Sequence, residues 1–342
     1  FNGGTSTVTN AYATFLTGNG TVTVNGGTWC ASSYGQYGFA SLTGGTLNLV
    51  GGKVWYENAP YYDDVLISVE NTTVNLSGTI VAACTAQEGS KGGMAMELKG
   101  SSTLNMTGGE LRGLNALKVG EGSTATLTGG SVSGKPFTGY RFANQRSASD
   151  GQTFENAGTL TVETDMAITG SNNFLKNTGG TATIECGGMD VDGTMFEIGG
   201  GTVNANFTKK LIANTMFKIT DGASFTITGG EFETRYSAIS NDLGRMFDVD
   251  GGTLTVNGGT FTAGAVMFDL FGLNDDGIAN ISGGTFTMGT QNCQFFKLGV
   301  GNGGSGRGIA NVTGGTFQES TGIRTDERND GYFVYGNGER NT

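Results

Sequence analysis

One phrase recurs along the chain and restricts what it can fold into: a Thr-apolar-Thr/Asn-apolar run closed by Gly-Gly. It stands as Thr21-Val-Thr-Val-Asn-Gly-Gly27, Thr46-Leu-Asn-Leu-Val-Gly-Gly52, Thr103-Leu-Asn-Met-Thr-Gly-Gly109 and Thr124-Ala-Thr-Leu-Thr-Gly-Gly130. It returns as Thr181-Ala-Thr-Ile-Glu-Cys-Gly-Gly188, Ser224-Phe-Thr-Ile-Thr-Gly-Gly230, Thr253-Leu-Thr-Val-Asn-Gly-Gly259, Ile278-Ala-Asn-Ile-Ser-Gly-Gly284 and Ile309-Ala-Asn-Val-Thr-Gly-Gly315. Degenerate copies sit at Thr73-Val-Asn-Leu-Ser-Gly78, Thr159-Leu-Thr-Val162 and Thr202-Val-Asn-Ala205. Gly27 to Gly315 spans 288 residues in eleven steps, about 26 per step, and the shortest steps are 21. A period in this range marks a solenoid or an array, not two ordinary domains.

Alternation with period two identifies the unit as strands: in Thr253-Leu254-Thr255-Val256 the apolar pair faces one way and the threonines the other. Helix is excluded, because each Gly of the recurring pairs costs a helix roughly 1 kcal/mol. A 21-residue step divides into three short strands, as in Met246-Phe-Asp-Val249, Thr253-Leu-Thr-Val256 and Thr260-Phe-Thr262. Stacked coils then pair each strand with its counterpart above and below, in parallel, giving three ladders with about 4.8 Å per coil. The prediction is an all-β chain of about twelve or thirteen three-stranded coils over 1–318, with a C-terminal cap or docking segment over 319–342.

The pattern also predicts the interior. First-strand inward residues are Phe39, Ile67, Met96, Leu117, Phe154, Phe174, Phe196, Phe217, Phe247, Phe268 and Phe296. Third-strand ones are Trp29, Val54, Ile80, Leu111, Val132, Phe232, Phe261, Phe286 and Phe317. The Gly-Gly pairs supply the positive φ and close backbone approach of a tight corner. Between the inward positions of the first strand falls a charged column: Glu97 then Lys118, Glu197 then Lys218 then Asp248, and Asp269 then Lys297.

These repeats resemble the right-handed parallel β-helix of the pectin-lyase-like superfamily, and more closely the Gly/Thr-rich repeats of microbial cell-surface proteins, autotransporter-type adhesins among them. The resemblance runs from about Thr7 to about Phe317 and implies a single right-handed parallel β-helix. It implies little about function, since that scaffold hosts lyases, hydrolases, adhesins and envelope proteins.

Composition narrows the function classes. Glycine makes up 63 of 342 residues, proline 2, and the net charge is −11. Collagen is excluded by the missing Gly-X-Y period, and the acidity repels nucleic acid and anionic bilayers. No run of eighteen apolar residues exists, and Phe1-Asn2-Gly3-Gly4-Thr5 lacks a basic segment followed by an apolar one, so the chain reads as soluble and already processed. Histidine is absent, which removes Ser-His-Asp and Cys-His nucleophiles and His-bound metals. Cys30, Cys84, Cys186 and Cys293 have no C-x-x-C spacing, and their distances along the repeat predict no bridge within the chain. Cys293, in a loop, is placed to bridge between molecules.

Coils lengthen at 32–38, 56–64, 85–93, 135–152, 235–244, 273–277 and 299–308, and loops on a rigid scaffold are where binding usually resides. The longest, 135–152, concentrates aromatic and basic side chains, making Phe137, Tyr140, Arg141, Phe142 and Arg146 candidates for contact with carbohydrate or a neighbouring subunit. Tyr332, Phe333 and Tyr335 in the charged, aromatic tail are candidates for assembly, together with Cys293 and the stretch from Phe1 to Thr9. Acidic clusters occur at Asp63-Asp64, Asp190/Asp192, Asp248/Asp250 and Asp275-Asp276, none with a basic residue in a lyase-like arrangement. No cofactor is expected; calcium on carboxylates is the one ion the composition leaves open. The Gly-rich stretch 299–308 lacks the Gly-Lys-Ser/Thr ending of a phosphate loop. Outward pairs such as Thr21/Thr23, Thr124/Thr126 and Thr253/Thr255 resemble the grids of ice-binding solenoids, with Asn at Asn48, Asn75, Asn105, Asn204, Asn280 and Asn311. Asn71, Asn75, Asn105, Asn206, Asn280 and Asn311 stand in N-x-S/T sequons, acceptors for glycan in a glycosylating source.

The sequence therefore predicts a non-catalytic extracellular or cell-surface protein, a self-assembling subunit of a layer, sheath or filament, or an adhesin stalk. Its expected partners are copies of itself, carbohydrate or other surface proteins. The rival expectation is a carboxylate- or calcium-dependent polysaccharide lyase or hydrolase, and a lesser one is ice binding.

Overall fold

The computed structural model describes residues 2–9, 14–32, 38–56, 65–83, 93–134, 152–163, 167–169, 173–189, 191, 193–213, 215–220, 222–234, 245–264, 269–288, 294–299, 306–319 and 334–336. The chain divides into two compact units, Phe1–Ala182 and Thr183–Thr342. Each is a parallel β-solenoid with three ladders per unit, and no helix occurs among the described residues. This is the all-β, three-stranded coil that the repeat predicts, consistent with a right-handed parallel β-helix.

In the first unit, the described first-face strands run from Leu16–Gly18 to Asn173–Asn177, seven in all. Six second-face strands run from Thr21–Val24 to Thr159–Val162, and seven third-face strands from Asn2–Thr9 to Ala167–Thr169. The recurring phrase is the second face. Thr21, Thr46, Thr73, Thr103, Thr124 and Thr159 stand in one column of register, and Leu47, Val74, Leu104, Ala125 and Leu160 form the fully buried column beside it. Each buried Leu or Val contributes roughly 1.5–3 kcal/mol, and the repetition of that term builds the core.

In the second unit the first face has six described strands, from Thr194–Ile198 to Val334–Gly336. Thr202–Ala213 and Ser224–Thr234 are long enough to run through the corner between second and third faces. The interior here is phenylalanine. Phe196, Phe217, Phe247, Phe271 and Phe296 share one column of register, and Phe232, Phe261, Phe286 and Phe317 another. Rings in successive coils lie parallel: Phe217–Phe247 at 4.7 Å and 4°, Phe247–Phe271 at 4.5 Å and 5°, Phe232–Phe261 at 4.8 Å and 4°. Parallel in-register strands impose that stacking, because identical side chains on successive coils have the same direction at one strand spacing.

Four inward assignments shift. Ala40, not Phe39, registers with Ile67; Val81, not Ile80, with Val54 and Leu111; Leu175, not Phe174, with Phe154. Phe271 occupies the place given to Phe268, which lies outside the described residues. Phe39 and Phe174 are buried nonetheless. Most first-face strands carry two consecutive buried residues after a half-buried first one, as in Thr194-Met195-Phe196.

The second Gly of each pair closes the second-to-third corner. Gly130 has φ 94°, and a Cβ there would stand 2.6 Å from the carbonyl oxygen of Gly109, its counterpart one coil below. A side chain would separate the two coils, so the corner tolerates none.

Candidate functional site

The charged column exists, and it is longer than its sequence reading. In the first unit Glu97, Lys118, Glu155 and Lys176 are consecutive register partners on the first face. The Lys118 ammonium lies 3.3 Å from Glu97 and 3.8 Å from Glu155, and Lys99 adds a contact of 2.8 Å to Glu97. In the second unit Glu197 registers with Lys218, and Lys218 with Asp248. Asp269 does not register with Lys297. Its partners are Arg245 and Gln294, while Lys297 faces Gly272. The strand Asp269–Asn274 enters the ladder three residues later than its composition suggests, since Phe271 rather than Phe268 fills the aromatic stack. Arg245, which the column reading missed, bonds Asp248 at 2.6 Å.

Other outward groups pair likewise. On the third face of the second unit Lys210 lies 3.4 Å from Glu231 and also bonds Glu233. The hydrogen bond to Glu233 raises its pKa most; burial opposes the rise, and the charge of Glu233 and the hydrogen bond and charge of Glu231 add to it. On the third face of the first unit Arg112 pairs with Glu110, and the Lys53 ammonium sits 4.4 Å from the Trp55 ring centre.

On the second face the amides link coil to coil. Asn105 Nδ2 donates to Asn75 Oδ1 at 3.0 Å, Asn75 Nδ2 to Asn48 Oδ1 at 2.9 Å, and Asn48 Nδ2 to Thr23 Oγ1 at 3.3 Å. In the second unit Asn311 Nδ2 donates to Asn280 Oδ1 at 2.8 Å. Three sequon nitrogens, those of Asn75, Asn105 and Asn311, are thus engaged in ladders. Asn71 instead takes a left-handed conformation, φ 50°, and its Oδ1 accepts from the Ser101 backbone at 3.0 Å. Among the described residues of the first unit, the outward positions of the six second-face strands are all Thr or Asn and carry no charge; in the second unit Glu185 of the strand Thr181–Cys186 is an exposed outward carboxylate, and Ile278 and Ile309 are apolar.

A second amide ladder, which sequence reasoning missed, lies inside. Asn156 and Asn177 continue the inward column of Leu42, Val69, Leu98 and Val119. Asn156 Nδ2 donates to Asn177 Oδ1 at 2.6 Å, and Asn156 Oδ1 accepts from the Gly158 backbone at 3.2 Å. Matching Glu-Asn and Lys-Asn endings, Glu155-Asn156 and Lys176-Asn177, were the available signal.

The linkers between faces are unequal. The second-to-third corners 50–52, 77–79, 107–109, 128–130, 257–259, 282–284 and 313–315 hold three residues each. The segments 33–39, 57–64, 83–93 and 135–151, by contrast, each join a third-face strand to the next first-face strand, as do 235–244, 263–268 and 289–293. The lengthenings named from sequence therefore fall mostly at one corner. The stretch 273–277 is not a lengthening: it is the end of one strand, the start of the next, and a two-residue turn in which Asp275 and Asp276 have φ 48° and 65°. Asp276 pairs with Arg307 at 3.4 Å.

Phe137, Tyr140, Arg141, Phe142 and Arg146 lie outside the described residues, as do Tyr332, Phe333, Cys84, Cys293, Asp63, Asp64, Asp190 and Asp192. Tyr335 belongs to the strand Val334–Gly336, which pairs with Gln294–Leu298, so part of the tail returns to the first face. Cys30 and Cys186 are buried, and burial pushes the Cys186 thiol up to about 12. Among the described residues no three Cys, Asp or Glu side chains gather as a metal-ligand set. Nor is any helix there long and apolar enough to cross a membrane. No protein-family model, curated protein or solved structure matches the chain.

Proposed function

We propose that this protein is an extracellular structural element, built from β-solenoid units, that serves as a subunit of a cell-surface layer, sheath or filament, or as the stalk of an adhesin. The observation that carries the reading is the direction of its longest outward polar ladders. Glu97–Lys118–Glu155, Lys210–Glu231 and the Asn48–Asn75–Asn105 amides are all spent on the next coil, along the stacking direction. A catalytic cleft works the opposite way, holding convergent groups toward a substrate in a concavity. Each exposed ion pair contributes only about 0–1 kcal/mol, so the value of such ladders lies in register and resistance to slippage. In this reading the third-to-first linkers carry the surface's recognition chemistry, carbohydrate or protein, on a scaffold that does not change.

Electron microscopy of native cell surfaces with an antibody to this chain tests the proposal. Label on a regular external layer, fibre or stalk supports it. Label confined to the cell interior, or calcium-dependent cleavage of a polysaccharide by the purified chain, removes it in favour of an enzyme.

A further inference from the structure

The second face combines three properties that the other two faces do not. In the first unit its outward positions are uncharged, in a chain of net charge −11. In the first unit its flanking corners hold at most four residues, so no long linker borders it. And its outward side chains, threonine hydroxyls and asparagine amides, each donate and accept.

From these we propose that the second face of the first unit is a lateral contact with another copy of this chain, second face against second face. The inference rests on the structural reading above and names the surface through which such subunits would meet. Two copies carrying −11 each repel one another wherever charge is present, and this face is where approach costs least. A two-fold contact must also be self-complementary, which a surface whose every group both donates and accepts satisfies at any register step. A nucleic acid finds no cation on it.

Area sets the strength. Six strands of four residues make a face of roughly 13 by 29 Å, about 380 Å² per copy, using the ordinary strand dimensions. The roughly 760 Å² total is well short of the ~1,200 Å² at which standard stable interfaces begin. The pair is therefore weak alone and persists when many copies lie side by side. Salt should strengthen it, because screening removes the long-range repulsion while the contact itself has no ion pair to lose.

Sedimentation velocity of the full chain across a concentration series, at about 50 mM and about 500 mM salt, tests this. The wild type is expected to associate reversibly, more at high salt. Thr103→Glu and Thr124→Lys place opposite charges on the face, and each should weaken association about tenfold or more, the cost of burying an unpaired charge. Ser41→Glu adds the same charge to the first face and should leave association unchanged. Circular dichroism checks folding, and the two face variants back one another if one misfolds. A wild type that stays monomeric at every concentration and salt overturns the proposal, as does association indifferent to both face variants. So does a monomer that Thr103→Glu releases from an insoluble neutral polysaccharide or from ice, since the face would then serve that partner. If lateral pairing fails while microscopy still places the chain in an external layer, the structural reading stands without this contact.

Discussion

Arg245 lies along Gly272: a Cβ on that glycine would stand 2.5 Å from the arginine Nε and 2.6 Å from its Cζ. Gly272 is the register position between Asp248 and Lys297, so the guanidinium from the coil below takes the place its missing side chain leaves. From there it reaches Asp248 at 2.6 Å, with the Arg245 side chain 9% exposed. Gly272→Ala should displace Arg245 and cost about 1–3 kcal/mol, an overpacking penalty. Arg245→Ala should cost a similar amount, and Gly272→Ala in that background almost nothing. A double-mutant cycle in urea checks this; additive losses would show that the two residues do not share the space.

Phe247 is stacked on both neighbours in its column and meets Phe261 from the next ladder at 5.2 Å. Phe247→Ala is expected to cost about 3–5 kcal/mol, and Phe247→Leu less than about 1.5 kcal/mol if the stack closes around it. Urea unfolding read by near-ultraviolet circular dichroism measures both. Equal losses would mean that ring stacking, not volume, holds the column.

The buried Asn156–Asn177 pair makes opposite predictions for single and double replacement. Asn177→Leu leaves the Asn156 amide short of its 2.6 Å acceptor in the core and should cost about 1–3 kcal/mol. Replacing both by Leu continues the aliphatic column of Leu98 and Val119 and should recover most of that loss. Thermal melts of the three variants decide it. A double variant worse than either single one would mean that the bonds to the Gly158 and Thr181 backbone dominate.

Cys186 should stay unmodified by a thiol-disulfide reagent until the coil opens, because burial holds its pKa near 12, above the ordinary 9.0. The sign for stability follows. Below pH 9 the thiol is neutral in both states and contributes no pH dependence. Between about 9 and 12 the unfolded chain loses the proton while the folded one keeps it, so stability falls as the pH rises. Cys186→Ala should flatten that alkaline slope in urea titrations.

What the sequence made legible was the part governed by exact repetition. Thr, Leu and Gly at fixed offsets give the second face, its buried columns and its glycine corner, because one alternation and one turn type suffice there. The first face was harder. Where Phe174-Leu175 or Phe39-Ala40 present two buried residues in succession, period two does not say which one belongs to the column. The same ambiguity shifted the strand Asp269–Asn274 by three residues and separated Asp269 from Lys297. Arg245 went unread because its role depends on a glycine one coil away. The loop candidates around Phe137 and Tyr140 were found by composition alone, which identifies an unusual segment without giving it a geometry.

The alternation of Glu97, Lys118, Glu155 and Lys176 has a consequence for how such a chain can change length over evolutionary time. Every column of the core is nearly indifferent to losing one coil: excising 103–123 would bring Thr124 onto Thr73, Ala125 onto Val74 and Leu127 onto Leu76. The sign of the charge is not indifferent, since that excision removes Lys118 and sets Glu97 against Glu155. Loss or duplication of two adjacent coils keeps the signs in step. Inheritance of length in this stretch is therefore biased toward even numbers, a parity rule written in acid and base.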